Sequence, residues 1–146
     1  MLSTQVLPKV EWIPFKEVLG KATKDKGVYF IRMKGGVTFH RLRGDSDIVY
    51  IGKATNQNGF KGRFVGYIHP GPTQHTNQKI NAFDKKYELE VGFFPNPRVG
   101  KEDIIRSSEI LEFNYLEGYE SEHDELPPLN SATIRKFLLK PTRKKR

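Results

Sequence analysis

The chain has 146 residues, a formal net charge of +8 at pH 7 and no cysteine. This length suits one domain, residues 1–146, with a hydrophobic core of its own, and the lack of cysteine excludes disulfides, cysteine-ligated zinc, iron–sulfur clusters and thiol catalysis. No stretch approaches the roughly 20 apolar residues of a membrane span, and the first residues do not follow the pattern of a signal peptide, so we expect a soluble cytoplasmic protein.

The charge is distributed unevenly along the chain. Residues 1–100 carry 16 Lys and Arg against 8 Asp and Glu, residues 101–130 carry 2 against 9, and residues 131–146 carry 7 against none. A basic body and tail attract polyanions, and the acidic stretch is expected to lie away from the phosphates or to hold a cation. A solvated surface face explains any single run more simply, but it explains the whole pattern less well.

The first half of the chain predicts a short helix followed by strands. A proline and a glycine favour a helix near 14–19. Residues 28–33 are rich in β-branched and aromatic side chains, which is typical of a strand. A pair of glycines then predicts a turn, and a second strand is expected to return over 37–42. After another turn, an apolar strand is expected over 48–51.

A helix follows in which two pairs of side chains have matching spacing. Phe60 and Phe64 lie four residues apart, and so do Arg63 and Tyr67. Residues with this spacing share one face of a helix. The sequence therefore predicts a guanidinium and a phenol that project side by side.

The remaining elements complete an α+β fold. The apolar positions predict a helix over 77–86, a strand over 87–94 and the longest helix over 102–119. We therefore expect an α/β sandwich, in which a small central, mainly antiparallel three-stranded sheet with an inserted hairpin is flanked by helices.

Several short motifs occur in a definite order. They are Gly27-Val28-Tyr29, Tyr50-Ile51-Gly52 followed by Lys53, Arg63 with Tyr67, a helical segment around Glu112, and Asn130 after a pair of prolines. In this order they resemble the motifs of the GIY-YIG nuclease superfamily. The resemblance covers residues 27–130 and leaves 131–146 as a basic C-terminal extension. Each motif alone is weak evidence, because tyrosines in strands usually serve packing, but the whole order is specific.

The resemblance implies a metal-dependent endonuclease that hydrolyses DNA phosphodiester bonds, either as a restriction-like or as a structure-specific enzyme. It makes Glu112 the metal ligand, and an oxygen ligand of this kind favours Mg²⁺ or Mn²⁺. The planar fork of Arg63 can bind two phosphate oxygens. The implied catalytic set is Tyr29, Tyr50, Lys53, Arg63, Tyr67, Glu112 and Asn130.

The phenols have separate expected roles. Tyr29 is our candidate for positioning or deprotonating the attacking water. An unperturbed phenol has a pKa of about 10, so we expect Lys53, Arg63 and the metal to lower the pKa of Tyr29. Tyr50 and Tyr67 are expected to orient the water and the phosphate.

The chain departs from the family pattern in two spacings. The two motif tyrosines are 21 positions apart, which fits the inserted hairpin and resembles the restriction-enzyme members. The stretch from Glu112 to Asn130 is somewhat long, so Glu109 and Glu117 remain alternatives for the functional carboxylate. Asn130 is expected to support the site without touching the substrate.

Basic residues outside the catalytic set are candidates for binding DNA. They can hold phosphates without reading sequence, and the inserted hairpin can instead enter a groove and read base edges. A single active site cuts one strand, so a homodimer or larger homo-oligomer is the natural route to a double-strand break. The candidate DNA-binding residues are Arg32, Lys34, His40, Arg41, Arg43, Lys61, His69, Arg143, Lys144, Lys145 and Arg146.

Two other functions stay open at this point. One is a catalytically inactive nucleic-acid-binding protein with the GIY-YIG fold. The other is a partner-binding domain whose basic face engages an acidic protein.

Overall fold

A computed structural model describes residues 7–96 and 101–130 of the chain. Short 3-10 turns at Phe15–Glu17 and Lys34–Gly36 accompany the regular elements. The helices and strands are β1 (Trp12–Pro14), α1 (Val18–Lys21), β2 (Gly27–Met33), β3 (Phe39–His40), β4 (Asp45–Ser46), β5 (Ile48–Ala54), α2 (Gly59–Ile68), α3 (His75–Tyr87), β6 (Leu89–Pro95) and α4 (Lys101–His123).

The main sheet is antiparallel, with the strand order β1-β6-β2-β5. The α+β class is confirmed, but the prediction of three strands is wrong, because β1 adds a fourth strand at the edge beside β6. Trp12 pairs with Gly92 there, where a side chain at position 92 would collide with Val10. We had assigned Pro14 to a helix start, yet it ends an edge strand, a position that tolerates the missing N–H of proline.

The side chains of β2 alternate between two hydrophobic layers, as a strand between helices requires. Tyr29 and Ile31 belong to one cluster, which they share with α2 residues such as Phe64. Val28 and Phe30 belong to the other cluster, together with α4 residues including Leu116 and Tyr119. The sheet is therefore covered by α2 and α3 on one face and by α4 on the other.

The observed helices follow the sequence predictions closely, with longer bounds for the later ones. The helix expected near 14–19 is a 3-10 turn that continues into the four-residue α1. The helix expected over 77–86 is α3, and the longest helix is α4, as predicted. In the described part of the chain, no helix has the length and apolar character needed to cross a bilayer.

The inserted hairpin differs from its prediction. Only Phe39–His40 of the expected strand over 37–42 is extended, and it pairs with β4 in a separate two-stranded sheet. Gly35 and Gly36 make the predicted turn with φ angles of 72° and 77°. The chain does not return along β2 because β5 and β6 already occupy both edges of that strand.

Two hairpin arginines fasten this insertion to the end of α4. Arg41, whose side chain is 12% exposed, donates a 2.6 Å hydrogen bond to the carbonyl of Leu126 and lies 3.2 Å from a carboxylate oxygen of Glu125. Arg43, whose side chain is 58% exposed, lies 3.2 Å from Asp124. Glu125 and Asp124, at the end of the acidic stretch, therefore neutralise the two hairpin arginines.

These two arginines should contribute very differently to stability. We expect Arg41→Ala to lower the free energy of unfolding by about 2 kcal/mol, because it removes a charge-assisted hydrogen bond from a largely buried place. Arg43→Ala should cost less than about 1 kcal/mol, since its ion pair is exposed to solvent. Urea denaturation of both variants measures the difference. Equal losses of unfolding free energy would contradict the idea that Arg41 is the main attachment of the hairpin.

Candidate active site

The site begins with a close approach between the two central strands. Tyr29 of β2 lies directly opposite Gly52 of β5. A Cβ atom at position 52 would lie only 2.5 Å from the Tyr29 hydroxyl and 2.8 Å from the Tyr50 ring. Glycine is therefore required at position 52, because the Tyr29 phenol occupies the space that a side chain at position 52 would take.

Helix α2 brings an arginine and a second phenol to Tyr29. Phe60 and Phe64 are completely buried and fix the face that α2 turns to the sheet. On that face the hydroxyls of Tyr67 and Tyr29 share a short hydrogen bond. The Nε atom of Arg63 donates a 3.1 Å hydrogen bond to the Tyr29 hydroxyl, and its guanidinium lies 5.2 Å from the centre of the Tyr67 ring. The predicted pairing of guanidinium and phenol is confirmed.

Burial keeps the two inner phenols neutral. Tyr29 and Tyr67 are both 0% exposed. Burial raises the pKa of Tyr29, the nearby Tyr50 phenol raises it further, and the positive charge of Arg63 offsets only part of this. The pKa of Tyr67 is also raised, again chiefly by burial. Arg63 thus lowers the pKa of Tyr29 as expected, but the effect of burial is larger and the pKa of Tyr29 lies above its ordinary value.

A carboxylate and an ammonium group meet beside β5. Lys53 faces α4, and its Nζ lies 3.5 Å from an Oε of Glu112. The Glu112 side chain is 16% exposed. Burial raises the pKa of the Glu112 carboxyl, while Lys53 opposes the shift. Glu112 is thus a partly desolvated carboxylate whose negative charge is stabilised by Lys53 and, more weakly, by Arg63.

Asn130 binds the backbone of β5. Its amide oxygen accepts a 2.9 Å hydrogen bond from the N–H of Ile51, and its amide nitrogen donates a 2.9 Å hydrogen bond to the carbonyl of Ile51. The N–H of Leu129 bonds the carbonyl of Val49. The segment after α4 therefore takes the place of a neighbouring strand at the free edge of β5 and holds that edge against α4.

The two faces of the sheet meet in one open groove of about 1000 Å³ along this edge. Tyr29 and Tyr67 are not among its lining residues, and neither is Glu117, so Glu112 and Glu109 are the acidic side chains that reach it. The groove is lined by Tyr50, Lys53, Thr55, Asn56, Arg63, Thr76, Arg106, Glu109, Ile110, Glu112, Phe113, Leu116, Leu129 and Asn130.

Several of these lining residues were missed in the sequence. Arg106 carried a usable signal, because it is one of only two basic residues in the acidic stretch 101–130. Thr55 and Asn56 follow a motif strand directly and could also have been inferred. Thr76 and Ile110 had no such signal, because their approach to the groove depends on how α3 and α4 pack.

The residues expected to bind DNA outside the catalytic set are mostly engaged in other contacts. Arg32 lies 3.9 Å from the Trp12 ring and 2.9 Å from Glu90. Lys34 pairs with Glu88 at 3.5 Å, and His40 pairs with Asp45 at 2.7 Å. Arg41 and Arg43 contact Glu125 and Asp124, as described above. The basic side chains of the hairpin region are therefore paired with other groups of the protein.

The other expected DNA-binding residues lie away from the groove or outside the description. Lys61 and His69 are exposed, on α2 and at its end, and do not line the groove. Arg143, Lys144, Lys145 and Arg146 lie outside the described residues.

Comparison with known proteins gives no assignment. No protein-family model, curated protein or solved structure matches this chain.

Glycine at position 52 should be far less replaceable than glycine at position 20. We expect Gly52→Ala to lower the free energy of unfolding by about 1–3 kcal/mol, because the added methyl group forces Tyr29 out of its place. Gly20→Ala is the matched control, since a Cβ there meets nothing within 4 Å and alanine suits a helix better than glycine. Denaturant midpoints of the two variants should move in opposite directions, and a tolerated Gly52→Ala would contradict the close approach.

The raised pKa of Glu112 predicts a stability change with a definite sign. Because the folded protein holds this proton to higher pH than the unfolded chain does, stability falls as pH rises from the ordinary carboxyl range to the raised pKa. We expect Glu112→Gln to melt at a higher temperature than the original protein at pH 7, with the difference lost below about pH 4. The exposed Glu117→Gln should show neither effect, and a Glu112→Gln variant that is less stable at pH 7 would contradict the prediction.

Proposed function

We propose that this chain is a metal-dependent DNA endonuclease of the GIY-YIG superfamily. The observation that supports the proposal best is the meeting of residues from distant parts of the chain at one groove. Tyr50 and Lys53 come from β5, Arg63 from α2, Glu112 from α4 and Asn130 from the segment after it. A tyrosine, an arginine and a carboxylate can together orient the attacking water, neutralise the phosphate and hold a metal ion in phosphodiester hydrolysis.

The acidic side of the groove suits a hard divalent cation. No group of three or more His, Cys, Asp or Glu side chains that could hold a metal occurs in the described ranges. Mg²⁺ does not need such a cage, because it is commonly bound through one or two carboxylates, waters and substrate phosphates. Glu112 would be the main ligand and Glu109, three residues earlier on α4, a second oxygen donor. When bound, the ion would offset the charge of the scissile phosphate and of the leaving oxygen.

Arg63 is the residue that would hold the phosphate. Its Nε is fixed by Tyr29, and within the described residues no hydrogen bond engages its two terminal nitrogens. The Tyr67 ring further restrains the guanidinium plane. A side chain that is oriented in advance in this way binds phosphate oxygens with less loss of conformational entropy.

The phenol that would touch the attacking water is Tyr50. Tyr29, which we had preferred from the sequence, is wholly buried, whereas Tyr50 is partly exposed and lines the groove. We therefore assign Tyr50 to the water and Tyr29 and Tyr67 to the support of Arg63. Lys53 would keep the carboxylate of Glu112 ionised through its positive charge.

Cleavage of supercoiled plasmid DNA in the presence of Mg²⁺ or Mn²⁺ tests the proposal. We expect nicked circles first, since one active site cuts one strand, and no product in the presence of a chelator. Glu112→Gln and Arg63→Ala should each reduce the cleavage rate at least about 100-fold, because each removes a charge that acts on the reacting phosphate.

Glu117→Gln is the matched control, because it neutralises an exposed carboxylate of the same helix outside the groove. It should cut at the original rate. Full activity of Glu112→Gln or Arg63→Ala would exclude this site. Salt-sensitive DNA binding without any cut product would instead identify a catalytically inactive nucleic-acid-binding protein.

A further inference from the structure

The groove has an apolar part on the α4 side, beside the carboxylates of Glu109 and Glu112; its four residues, Ile110, Phe113, Leu116 and Leu129, are called the apolar wall. Ile110 is 52% exposed on α4, where Glu109 is exposed next to it. Phe113, Leu116 and Leu129 continue the same wall. A single exposed aliphatic side chain is ordinary, but several apolar side chains that line one groove are a feature of binding surfaces.

The remaining lining residues give the groove a polar side. Thr55 and Asn56 follow β5, Thr76 is the second residue of α3, and Arg63 comes from α2. Hydroxyls, amides and a guanidinium are the groups that bind sugar and phosphate oxygens. The groove therefore combines hydrogen-bond donors that suit a nucleic-acid backbone with an apolar surface that does not.

We propose that the apolar wall receives an unpaired nucleobase next to the phosphate held by Arg63, so that the preferred substrate is DNA with unpaired nucleotides. The inference rests on the proposed function in taking the groove as the place where a DNA phosphate binds. In a continuous duplex the faces of the bases are covered by their stacked neighbours, and only their edges are accessible. An apolar surface gains contact with a base face only when that base has left the stack.

The size and charge of the groove agree with this ligand. A volume of about 1000 Å³ lies at the upper end of the roughly 300–1,000 Å³ of small-molecule sites, which is enough for a nucleotide and part of its neighbour. Arg106 precedes Ile110 by four residues, so the two side chains lie on the same face of α4. A base on Ile110 would thus place an adjoining phosphate near a second cation.

The experiment uses the full chain and three fluorescent DNAs of equal length: a continuous duplex, a duplex with a single-stranded flap, and a single strand. Anisotropy titrations without divalent metal should give tighter binding of the flap and the single strand than of the duplex. Ile110→Ala should weaken binding of the two unpaired DNAs about fivefold and leave the duplex unchanged. Phe113→Ala should act in the same direction.

Ile105→Ala is the matched control, because Ile105 is 37% exposed on the same helix but does not line the groove. It should change none of the three affinities, and circular dichroism melting should show that Ile110→Ala is folded. Equal affinity for all three DNAs would overturn the inference, as would an Ile110→Ala variant that weakens all three alike.

Two further results separate this inference from the proposed function. Selective binding of unpaired DNA with no cleavage under any metal would support the base contact and reject the nuclease. Cleavage of continuous duplex as fast as of flap DNA would support the nuclease and reject the base contact. A dimer in sedimentation that Ile110→Asp dissociates would overturn the inference, because the wall would then be a contact between two copies of the chain.

Discussion

The close pairing of β2 and β5 at Gly52 is the contact on which the rest of the site depends. Because position 52 carries no side chain, the Tyr29 phenol lies over β5 and its hydroxyl reaches both Tyr67 and Arg63. A methyl group there would displace the phenol and with it the hydrogen bond that orients Arg63. The site is thus built from the interior of the sheet outward, and Arg63, the residue to which we assign the phosphate, is held by a fully buried group.

Charge compensation explains why the basic composition does not produce a uniformly basic surface. The hairpin cations are paired with acids of the sheet and of the end of α4, as in the contacts of Arg32 with Glu90 and of Arg41 with Glu125. The pair of Arg41 and Glu125 holds the hairpin against the segment that carries Asn130, whereas the pair of Arg32 and Glu90 joins β2 to β6. Among the described residues, the groove is lined by the cations Lys53, Arg63 and Arg106, and Lys53 is paired with Glu112.

Because β5 is an edge strand, side chains from both faces of the sheet line the same groove. Side chains of a strand alternate between faces, so Lys53 lies toward α4 while the α2 side of the sheet carries Tyr29 and Arg63. In a central strand these groups would be separated by the neighbouring strand. Here the segment after α4 binds the free edge through the side-chain amide of Asn130 and the backbone N–H of Leu129. Tyr50, Arg63 and Glu112 line the groove along this edge.

The sequence by itself determined the local elements and the identity of the central site residues. Spacing of four residues was enough to place Arg63 beside Tyr67, because a helix repeats on that scale, and the apolar patterns located the three longer strands. Burial and partnership were decided only by the tertiary structure. The pKa of Tyr29, the engagement of Arg41, the fourth strand at Trp12–Pro14 and the apolar wall at Ile110 all depend on residues far away in the chain. Desolvation and charge pairing depend on those distant neighbours, so they cannot be inferred from a local sequence pattern.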